Sequence, residues 1–463
     1  MHSVTQIALP ITLQSVLAML VNLADTVMVG RLGTDALAGV SQANQVFFIV
    51  AMTIPGIAAG ASVLLSQAWG RGNLDMIYRV LAYAFYTAVG FCVVVMAICI
   101  ASPDWVLRIF TSDDAAFRYG TDYLKIVAWS YIFYTLTQIT TGVLRSVRSV
   151  NVCLYSAIVS IALNISLNYI LIYGRLGFPA MGVAGAAAAT VIARIGEYAV
   201  ILIYVTFFEK KILIRPSKII RLDGSIAGLF FKTAAPVICN EMFWGLGSSS
   251  QAIVLGHLGN SVVSGSSVAS SVMQIATVIC QGLSAACCII IGNNIGKQNL
   301  GIIPILKRFF QILAVVFGCI SSVILFFLVP LIEALYGVSG QTAGYARDFI
   351  YIYCFIIPFM ELQSMSMMGL LRGAGDVNFQ MTNDLVFLWG FTVPVGFILA
   401  YQVHAPVQFV YFMLRSDQII KVFTSEWRLR KGRWIHVLDG SGSRKALTLE
   451  EVKQFGHQSQ VSP

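Results

Sequence analysis

Charged residues are scarce in this chain. Asp, Glu, Lys and Arg make up 11% of its 463 residues, whereas hydrophobic residues make up 57%. A soluble globular protein usually carries about 25% charged residues, so the composition excludes an ordinary soluble domain. The scarcity also leaves long apolar runs, and about 20 apolar residues are enough to cross a bilayer. We therefore expect a membrane protein.

Groups that are typical of enzymes and metal sites are also few. Only five histidines occur, and they are scattered along the chain, whereas an intramembrane enzyme would need His, Asp or Ser clustered near one membrane interface. The nine cysteines lie in apolar runs without metal-ligand spacing, so we expect them to pack as small hydrophobic residues. No Walker motif or dinucleotide fingerprint is evident. The sequence therefore predicts neither an enzyme nor a cofactor, and no ATP hydrolysis by this chain.

Twelve apolar stretches are long enough to form membrane-spanning helices. They are continuous rather than alternating, which favours helices over a β-barrel. The predicted fold is therefore an all-α polytopic membrane protein with about twelve transmembrane helices. The stretches lie at 6–29, 41–68, 78–101, 117–143, 151–173, 182–208, 227–255, 261–291, 307–329, 341–371, 380–402 and 404–424.

The basic residues are concentrated on one side of this topology. Most of the 30 Lys and Arg fall in the tails and even-numbered loops, most densely at 209–221 and 427–434. By the positive-inside rule both termini face the cytoplasm, and we expect the protein in the plasma (inner) membrane. The net charge of +9 then indicates contact with lipid headgroups, and no nucleic-acid partner is expected.

The two halves of the chain repeat each other at an offset of 226 residues. Pro10 aligns with Pro236 at that offset, and a pattern of this length indicates a duplicated unit. The aligned segments include "ALPITLQ" (8–14) with "AAPVICN" (234–240), "QAWGRGNL" (67–74) with "NNIGKQNL" (293–300) and, one inserted residue later, "GVLRSVRSVN" (142–151) with "GLLRGAGDVN" (369–378).

The repeat predicts a division into two six-helix lobes. The first lobe spans 1–208, a basic cytoplasmic linker spans 209–226, the second lobe spans 227–424, and a basic cytoplasmic tail spans 425–463. Because six is even, both lobes insert in the same direction and form a parallel repeat. Repeats of this kind are an architecture of secondary transporters, whose substrate site lies at the repeat interface.

The order and spacing of several motifs resemble those of the multidrug and toxic compound extrusion (MATE) transporters. They are "LP" (9–10), "ADTVMVGRLGTDALAGV" (24–40), "QAWGRGN" (67–73), "LNISLNYILIYGRLG" (163–177) and "LRGAGD" (371–376). The resemblance runs from about residue 5 to about residue 436. It implies a V-shaped pair of lobes around a central cavity. It also implies export of bulky, often cationic compounds in exchange for H⁺ or Na⁺.

Asp25 is a carboxylate near the end of the first apolar run, and intramembrane ionisable residues are functional candidates by default. The resemblance implies that it serves ion or proton coupling. Asn164 and Asn168 of the fifth span lie at i, i+4 and so share a helical face. They can orient Asp25, ligate an ion, or only join helices. Several family members have Asp where Asn168 stands, so a first-lobe Na⁺ site would have one carboxylate fewer.

Two glutamates are candidates for a cation or substrate site in the second lobe. Glu361 lies eleven residues before Arg372, a spacing that resembles the tenth-span acidic position of the NorM-type branch. Glu241 lies five residues after Pro236 within the seventh span and could be functional or structural. Bound Na⁺ at Asp25 or Glu361 is the only metal that the sequence suggests.

Some aromatic, amide and methionine side chains could line a cavity for varied lipophilic cations, although lipid-facing packing is the commoner role of any one such residue. Pro55 interrupts the hydrogen bonding of the second span and could act as a bending point or only pack closely. The candidate lining residues are Trp129, Tyr134, Gln138, Met360 and Met365.

Other charged residues have simpler interpretations. Arg194 with Glu197, and Asp417 with Lys421, have the spacing of neutralising pairs on one helix. Asp384 lies close enough to a helix end to be an interfacial residue or a cap. Beyond residue 437 a disordered tail is favoured over a short capped helix at "TLEE" (448–451).

The favoured function is a secondary active antiporter for lipophilic cations, acting as a monomer. A flippase for lipid-linked precursors is the alternative within the superfamily. It would need an arginine-lined cavity for pyrophosphate, whereas most mid-span charges here are acidic. A membrane receptor or enzyme would not require the doubled six-span unit.

Overall fold

The computed structural model describes residues 2–110, 113–209, 211, 224–336, 340–438, 444–447 and 451. Most of the predicted linker 209–226 and of the tail beyond 437 lies outside these residues. The described chain is almost entirely helical. Its helices are α1 (His2–Gly30), α2 (Thr34–Gly70), α3 (Leu74–Ala101), α4 (Pro103–Arg108), α5 (Asp114–Val127), α6 (Ser130–Ser146), α7 (Asn151–Tyr173), α8 (Val183–Phe207), α9 (Gly224–Gly256), α10 (Asn260–Gly296), α11 (Ile303–Tyr336), α12 (Gly340–Ser364), α13 (Val377–Asp384), α14 (Val393–Tyr401), α15 (Val407–Met413) and α16 (Asp417–Lys431).

Local sequence signals explain several helix ends. The Asn73 side chain accepts a hydrogen bond from the Met76 amide at 3.0 Å at the start of α3, and Asp113 accepts one from Ala115 at 2.8 Å at the start of α5. Both residues therefore satisfy amides that have no partner within the helix. Gly174 ends α7 in the left-handed conformation, φ 66°, which glycine adopts without steric cost.

Ten helical segments of the described chain are long and apolar enough to cross a membrane. They correspond to ten of the twelve predicted spans and confirm an all-α polytopic membrane protein. The other two predicted spans, 117–143 and 404–424, are each divided between two shorter helices, α5 with α6 and α15 with α16. These pairs are interrupted at Ala128–Trp129 and at 414–416, and both carry charged residues that the other spans largely exclude.

Two π-helical segments occur in the second half. Met365–Leu371 continues α12, and Leu385–Thr392 joins α13 to α14. A π-helix is rare and often marks a functional position in a helix. Nothing in the apolar pattern predicts these segments, because hydrophobicity along a span is the same for both helix types.

The chain forms two compact units. The first unit contains Leu9–Leu65 and Asn73–Ala234, and the second contains Met1–Ala8, Ser66–Gly72 and Ala235–Pro463. The end of α2 thus belongs to the second unit although it comes from the first repeat.

Equivalent glycine contacts in the two units support the internal repeat. In the first unit, a Cβ placed on Gly39 would lie 2.7 Å from the amide nitrogen of Gly120. In the second unit, a Cβ placed on Gly265 would lie 3.0 Å from the amide nitrogen of Ala346. Both pairs are related by the offset of 226 residues. The same helix contact is therefore built twice, with a small residue where the backbones approach.

A second set of glycines lets α2 and α10 touch within the second unit. A Cβ on Gly70 would collide with the carbonyl oxygen of Asn293, and one on Gly296 would collide with the carbonyl oxygen of Gln67. These residues belong to the repeated segments "QAWGRGNL" and "NNIGKQNL". Only glycine permits this approach of one backbone to another.

A buried charge cluster joins α13 to α16. Lys421 Nζ lies 2.8 Å from Asp384 Oδ1 and 2.8 Å from Asp417 Oδ2, and the lysine is 1% exposed. The expected pairing of Asp417 with Lys421 is confirmed. The interpretation of Asp384 as a cap is wrong, because its side chain makes no capping hydrogen bond. Its carboxylate is instead buried against a lysine 37 positions away in the sequence, which local spacing cannot reveal.

We expect Lys421→Met to destabilise the protein strongly. Removing one partner of a buried ion pair costs about 3–5 kcal/mol, because the remaining charges are left buried and unpaired. The melting temperature of the detergent-solubilised protein measures this effect, and adding Asp384→Asn should restore part of the loss. Lys297→Met changes an exposed lysine and is the control. Equal melting temperatures for the two single variants would contradict a stabilising role for the cluster.

The tail contains a short hairpin. Strands β1 (Ile435–Leu438) and β2 (Arg444–Leu447) pair antiparallel, with Ile435 opposite Leu447. The expectation of disorder is therefore wrong for residues 444–447. The apolar pattern of the chain indicates helices and does not predict that these residues pair with strand β1. The suggested helix at 448–451 lies, except for Glu451, outside the described residues.

Candidate functional site

The first unit brings Asp25 together with the two asparagines of α7. The Asn168 amide Nδ2 donates a hydrogen bond to Asp25 Oδ1 and a second one, 3.2 Å long, to Asn164 Oδ1. Both asparagines are buried and Asp25 is partly buried. Their i, i+4 spacing places both amides on the face of α7 that meets the end of α1. All three residues that the sequence proposes for ion coupling therefore form one cluster.

The cluster contains an acceptor oxygen that has no hydrogen-bond donor among the described residues. The buried Asn168 Oδ1 accepts no hydrogen bond from any described residue. No basic side chain of the described ranges lies within 4.0 Å of the Asp25 carboxylate. Carboxylate and amide oxygens are suitable ligands for hard cations, and a carboxylate can also take up a proton. The cluster therefore has the groups that either coupling ion would need.

The positive charge nearest to this part of the first unit is already paired. Arg194 Nη1 lies 2.8 Å from Glu197 Oε2, and the Ser160 hydroxyl donates to the same oxygen at 3.2 Å. The Arg194 guanidinium also lies 5.1 Å from the ring centre of Tyr134, whose hydroxyl accepts a bond from Gln138 Nε2 at 3.0 Å. The expected Arg194–Glu197 pair is confirmed, and Tyr134 and Gln138 belong to the same polar network.

Glu361 is an isolated buried carboxylate in the second unit. It is 2% exposed, and its Oε1 has no hydrogen-bond partner among the described residues. The Cys280 side chain of α10 lies beside it. A Cβ placed on Gly318 of α11 would lie 3.4 Å from the Glu361 Cβ. Three helices thus enclose one acidic group that has no cationic side chain within 4.0 Å in the described part of the chain.

Glu241 has a different environment. The Arg372 Nη2 atom lies 2.8 Å from Glu241 Oε1, and Arg372 Nε donates to Gln380 Oε1 at 3.2 Å. The negative charge of Glu241 is therefore neutralised by the arginine of the "LRGAGD" motif. The contacts do not join Glu241 and Glu361 into one site. The sequence analysis did not predict Arg372 as the partner of Glu241, although the position of Arg372 in a repeated motif indicated that it is important.

The candidate cavity residues differ in how much surface they offer. Trp129 is 52% exposed at the junction of α5 and α6, and Met360 is partly buried. Met365 is fully buried, with its sulfur accepting from the Ser284 hydroxyl at 3.9 Å, so it presents no free surface to a ligand in this conformation. Pro55 lies in the uninterrupted helix α2.

Comparison with known proteins identifies the family. The family model described as MatE matches residues 10–170 and 236–401, and the two matches begin at the prolines that the internal repeat aligns. The chain belongs to the multidrug and toxic compound extrusion (MATE) family. It is thus a multi-pass membrane transporter and not an enzyme, as the motifs predict.

Relatives of this MATE chain cover nearly all of it. The probable multidrug resistance protein NorM of Thermotoga maritima is 26% identical over 459 residues, which are 97% of this chain and 95% of that protein. The probable multidrug resistance protein YoeA of Bacillus subtilis is 25% identical over 86% of this chain and 87% of that protein. Among solved structures, a MATE protein in the straight conformation has a TM-score of 0.84 at 17% identity and covers 92% of this chain and 95% of its own. The MATE fold is therefore shared over 92% of the chain.

Proposed function

We propose that this MATE protein is a secondary active antiporter that exports lipophilic cations in exchange for H⁺ or Na⁺. The observation that carries the proposal is the Asp25 cluster, a carboxylate in the apolar helix α1 that accepts a hydrogen bond from Asn168 and has no basic side chain of the described residues within 4.0 Å. A carboxylate within an apolar helix lowers the free energy gained on membrane insertion, and carboxylates in such positions are usually functional. Binding and release of a cation is a function that explains the presence of Asp25.

An antiporter needs its driving ion and its cargo to favour different conformations. The proposal assigns the ion to Asp25, Asn164 and Asn168 in the first unit and cationic cargo to Glu361 in the second. The printed names of the relatives, which describe probable multidrug resistance proteins, agree with varied cargo. Trp129, Tyr134, Gln138 and Met360 remain proposed contacts for such cargo, and a bend at Pro55 remains a proposed hinge.

Two paired arginines, Arg194 and Arg372, argue against anionic cargo. A flippase for pyrophosphate-linked lipids would require free guanidinium groups at membrane depth. Arg194 is paired with Glu197 and Arg372 with Glu241, each at 2.8 Å, whereas Glu361 has no cationic partner among the described residues. These two guanidinium groups are therefore not free for anionic cargo, whereas the Glu361 carboxylate is free for a cation.

The proposal includes a place and an orientation. We infer that both termini face the cytoplasm, from the excess of Lys and Arg at one side of the predicted topology, and we propose that the protein acts as a monomer in the plasma (inner) membrane. The carboxylates then act on compounds that leave the cell.

Transport by purified protein tests the function. In proteoliposomes loaded with a fluorescent organic cation, an imposed proton or sodium gradient, applied separately, should drive cargo movement against its own gradient. Movement with only one of the two ions identifies the coupling ion. Liposomes without protein and a matched neutral dye are the controls. No gradient-driven movement of any cation, with correctly folded protein, would contradict the proposal.

A further inference from the structure

A cavity lies in the second unit, and none of the proposed ion or cargo residues lines it. It has a volume of about 940 Å³ and is formed by the beginning of α11, the end of α16 and the residues that lead into β1. Its wall combines basic side chains with an apolar strip. The basic residues Lys307, Arg308 and Arg430 all line it.

The charge of the cavity is positive after internal pairing. Its one acidic residue, Glu426, is occupied by Lys307, whose Nζ lies 3.5 Å from Oε2, and by a hydrogen bond from Gln311 Nε2 to Oε1. Arg308 and Arg430 are exposed, and neither has a carboxylate partner within 4.0 Å in the described part of the chain. Two guanidinium groups are thus free for an anion, and guanidinium groups bind phosphate oxygens in bidentate geometry.

A buried donor points to the same kind of ligand. Trp434 lines the cavity and is 2% exposed. Its indole Nε1–H has no acceptor among the described residues. A buried donor without a partner is unfavourable, and an acceptor oxygen of a bound molecule would satisfy it. The amino end of α11 adds the positive end of a long helix dipole.

The apolar part of the wall indicates that this anion has hydrocarbon chains. Ile305, Phe309 and Ile312 lie at i, i+4 and i+7, which places them on one face of α11. Ile305 and Ile312 are 68% and 57% exposed. The strip leads from the basic end of the helix along a predicted membrane span, so headgroup and acyl chains would each meet a matching surface.

We propose that this cavity is a binding site for an anionic glycerophospholipid. The phosphodiester lies between Arg308 and Arg430 and accepts from Trp434 Nε1–H, and an acyl chain lies along Ile305 and Ile312. The predicted cytoplasmic leaflet is where anionic lipids and basic side chains attract each other. The site is separate from the proposed ion and cargo residues, so it can be tested without transport.

Lipid binding to the purified full-length protein tests the assignment. Native mass spectrometry should show retained phosphatidylglycerol at concentrations at which phosphatidylcholine is lost. Arg308→Gln with Arg430→Gln should weaken phosphatidylglycerol binding about thirtyfold. Trp434→Phe, which removes the donor and keeps an aromatic ring, should weaken it less. The control Lys297→Gln alters an exposed lysine at the end of α10 and should have no effect.

Three results would overturn the proposal. They are equal retention of the two lipids by the unaltered protein, an equal loss in the Lys297→Gln control, and unchanged binding in the double arginine variant. Inorganic phosphate distinguishes a lipid from a free anion. If phosphate alone displaces phosphatidylglycerol at equal concentration, the site recognises only the anion and the lipid assignment fails. Because the two arginines are exposed, their replacement leaves a folded protein for the measurement.

Discussion

Asp25→Asn is expected to abolish gradient-driven export while the yield of folded protein stays the same. The substituted amide has nearly the same size, and its oxygen can still accept the hydrogen bond from Asn168. It cannot change charge, however, and a fixed neutral group cannot exchange a driving ion between the two sides of the membrane. Efflux from proteoliposomes and the amount of monodisperse protein in detergent, measured side by side, check both parts of this expectation.

Two companion variants make the result specific to Asp25. Asp35→Asn makes the same chemical change at an exposed carboxylate near the start of α2, and we expect unaltered export. Asn168→Ala removes the donor that contacts Asp25 and should reduce export without abolishing it, because the carboxylate remains. Full export by Asp25→Asn with its usual dependence on the gradient would leave Asp25 as a structural carboxylate and refute its coupling role.

Glu361→Gln should remove most of the export of cationic compounds and spare that of neutral ones. The residue is 2% exposed with one unpartnered carboxylate oxygen, so its charge is available to a cation that reaches it. Charge attraction in a low-dielectric site is much larger than in water. A decrease of about tenfold in apparent affinity for a cationic dye would correspond to about 1.4 kcal/mol.

The comparison of two cargo classes separates a binding role from a structural one. Glu333→Gln changes another glutamate of the second half, near the end of α11, and serves as the matched control. A structural defect at Glu361 would lower the transport of cationic and neutral dyes equally at normal protein levels. That outcome would contradict the assignment of Glu361 to cargo.

Sequence patterns predict most of the helices because a membrane span requires a continuous apolar run. They fail where a span is interrupted. At Ala128–Trp129 the chain passes from α5 to α6 without any proline or glycine at the junction, so local composition gives no sign of the break. The π-helix Met365–Leu371 is hidden because hydrophobicity along a span is the same for an α-helix and a π-helix.

The sequence predicts the part of the candidate site that depends on spacing within one helix. Asn164 and Asn168 are four residues apart in a helix and therefore lie on the same face, so the sequence predicts that they are neighbours. The partners of Glu241 and Asp384 do not, because Arg372 and Lys421 reach them from other helices. Whether a buried carboxylate is free or neutralised depends on packing between helices, and a one-dimensional pattern does not contain that information.

The contact between α2 and α10 has a form that is known from dimers. Gly70 meets Asn293 while Gly296 meets Gln67, and in the repeat Gly70 is equivalent to Gly296 and Gln67 to Asn293. When residue i of one copy meets residue j of the other and j also meets i, the interface is isologous, as in two-fold symmetric homodimers. A single six-helix ancestor could therefore have associated with itself through this glycine contact, and fusion of its duplicated gene would have preserved the interface within one chain.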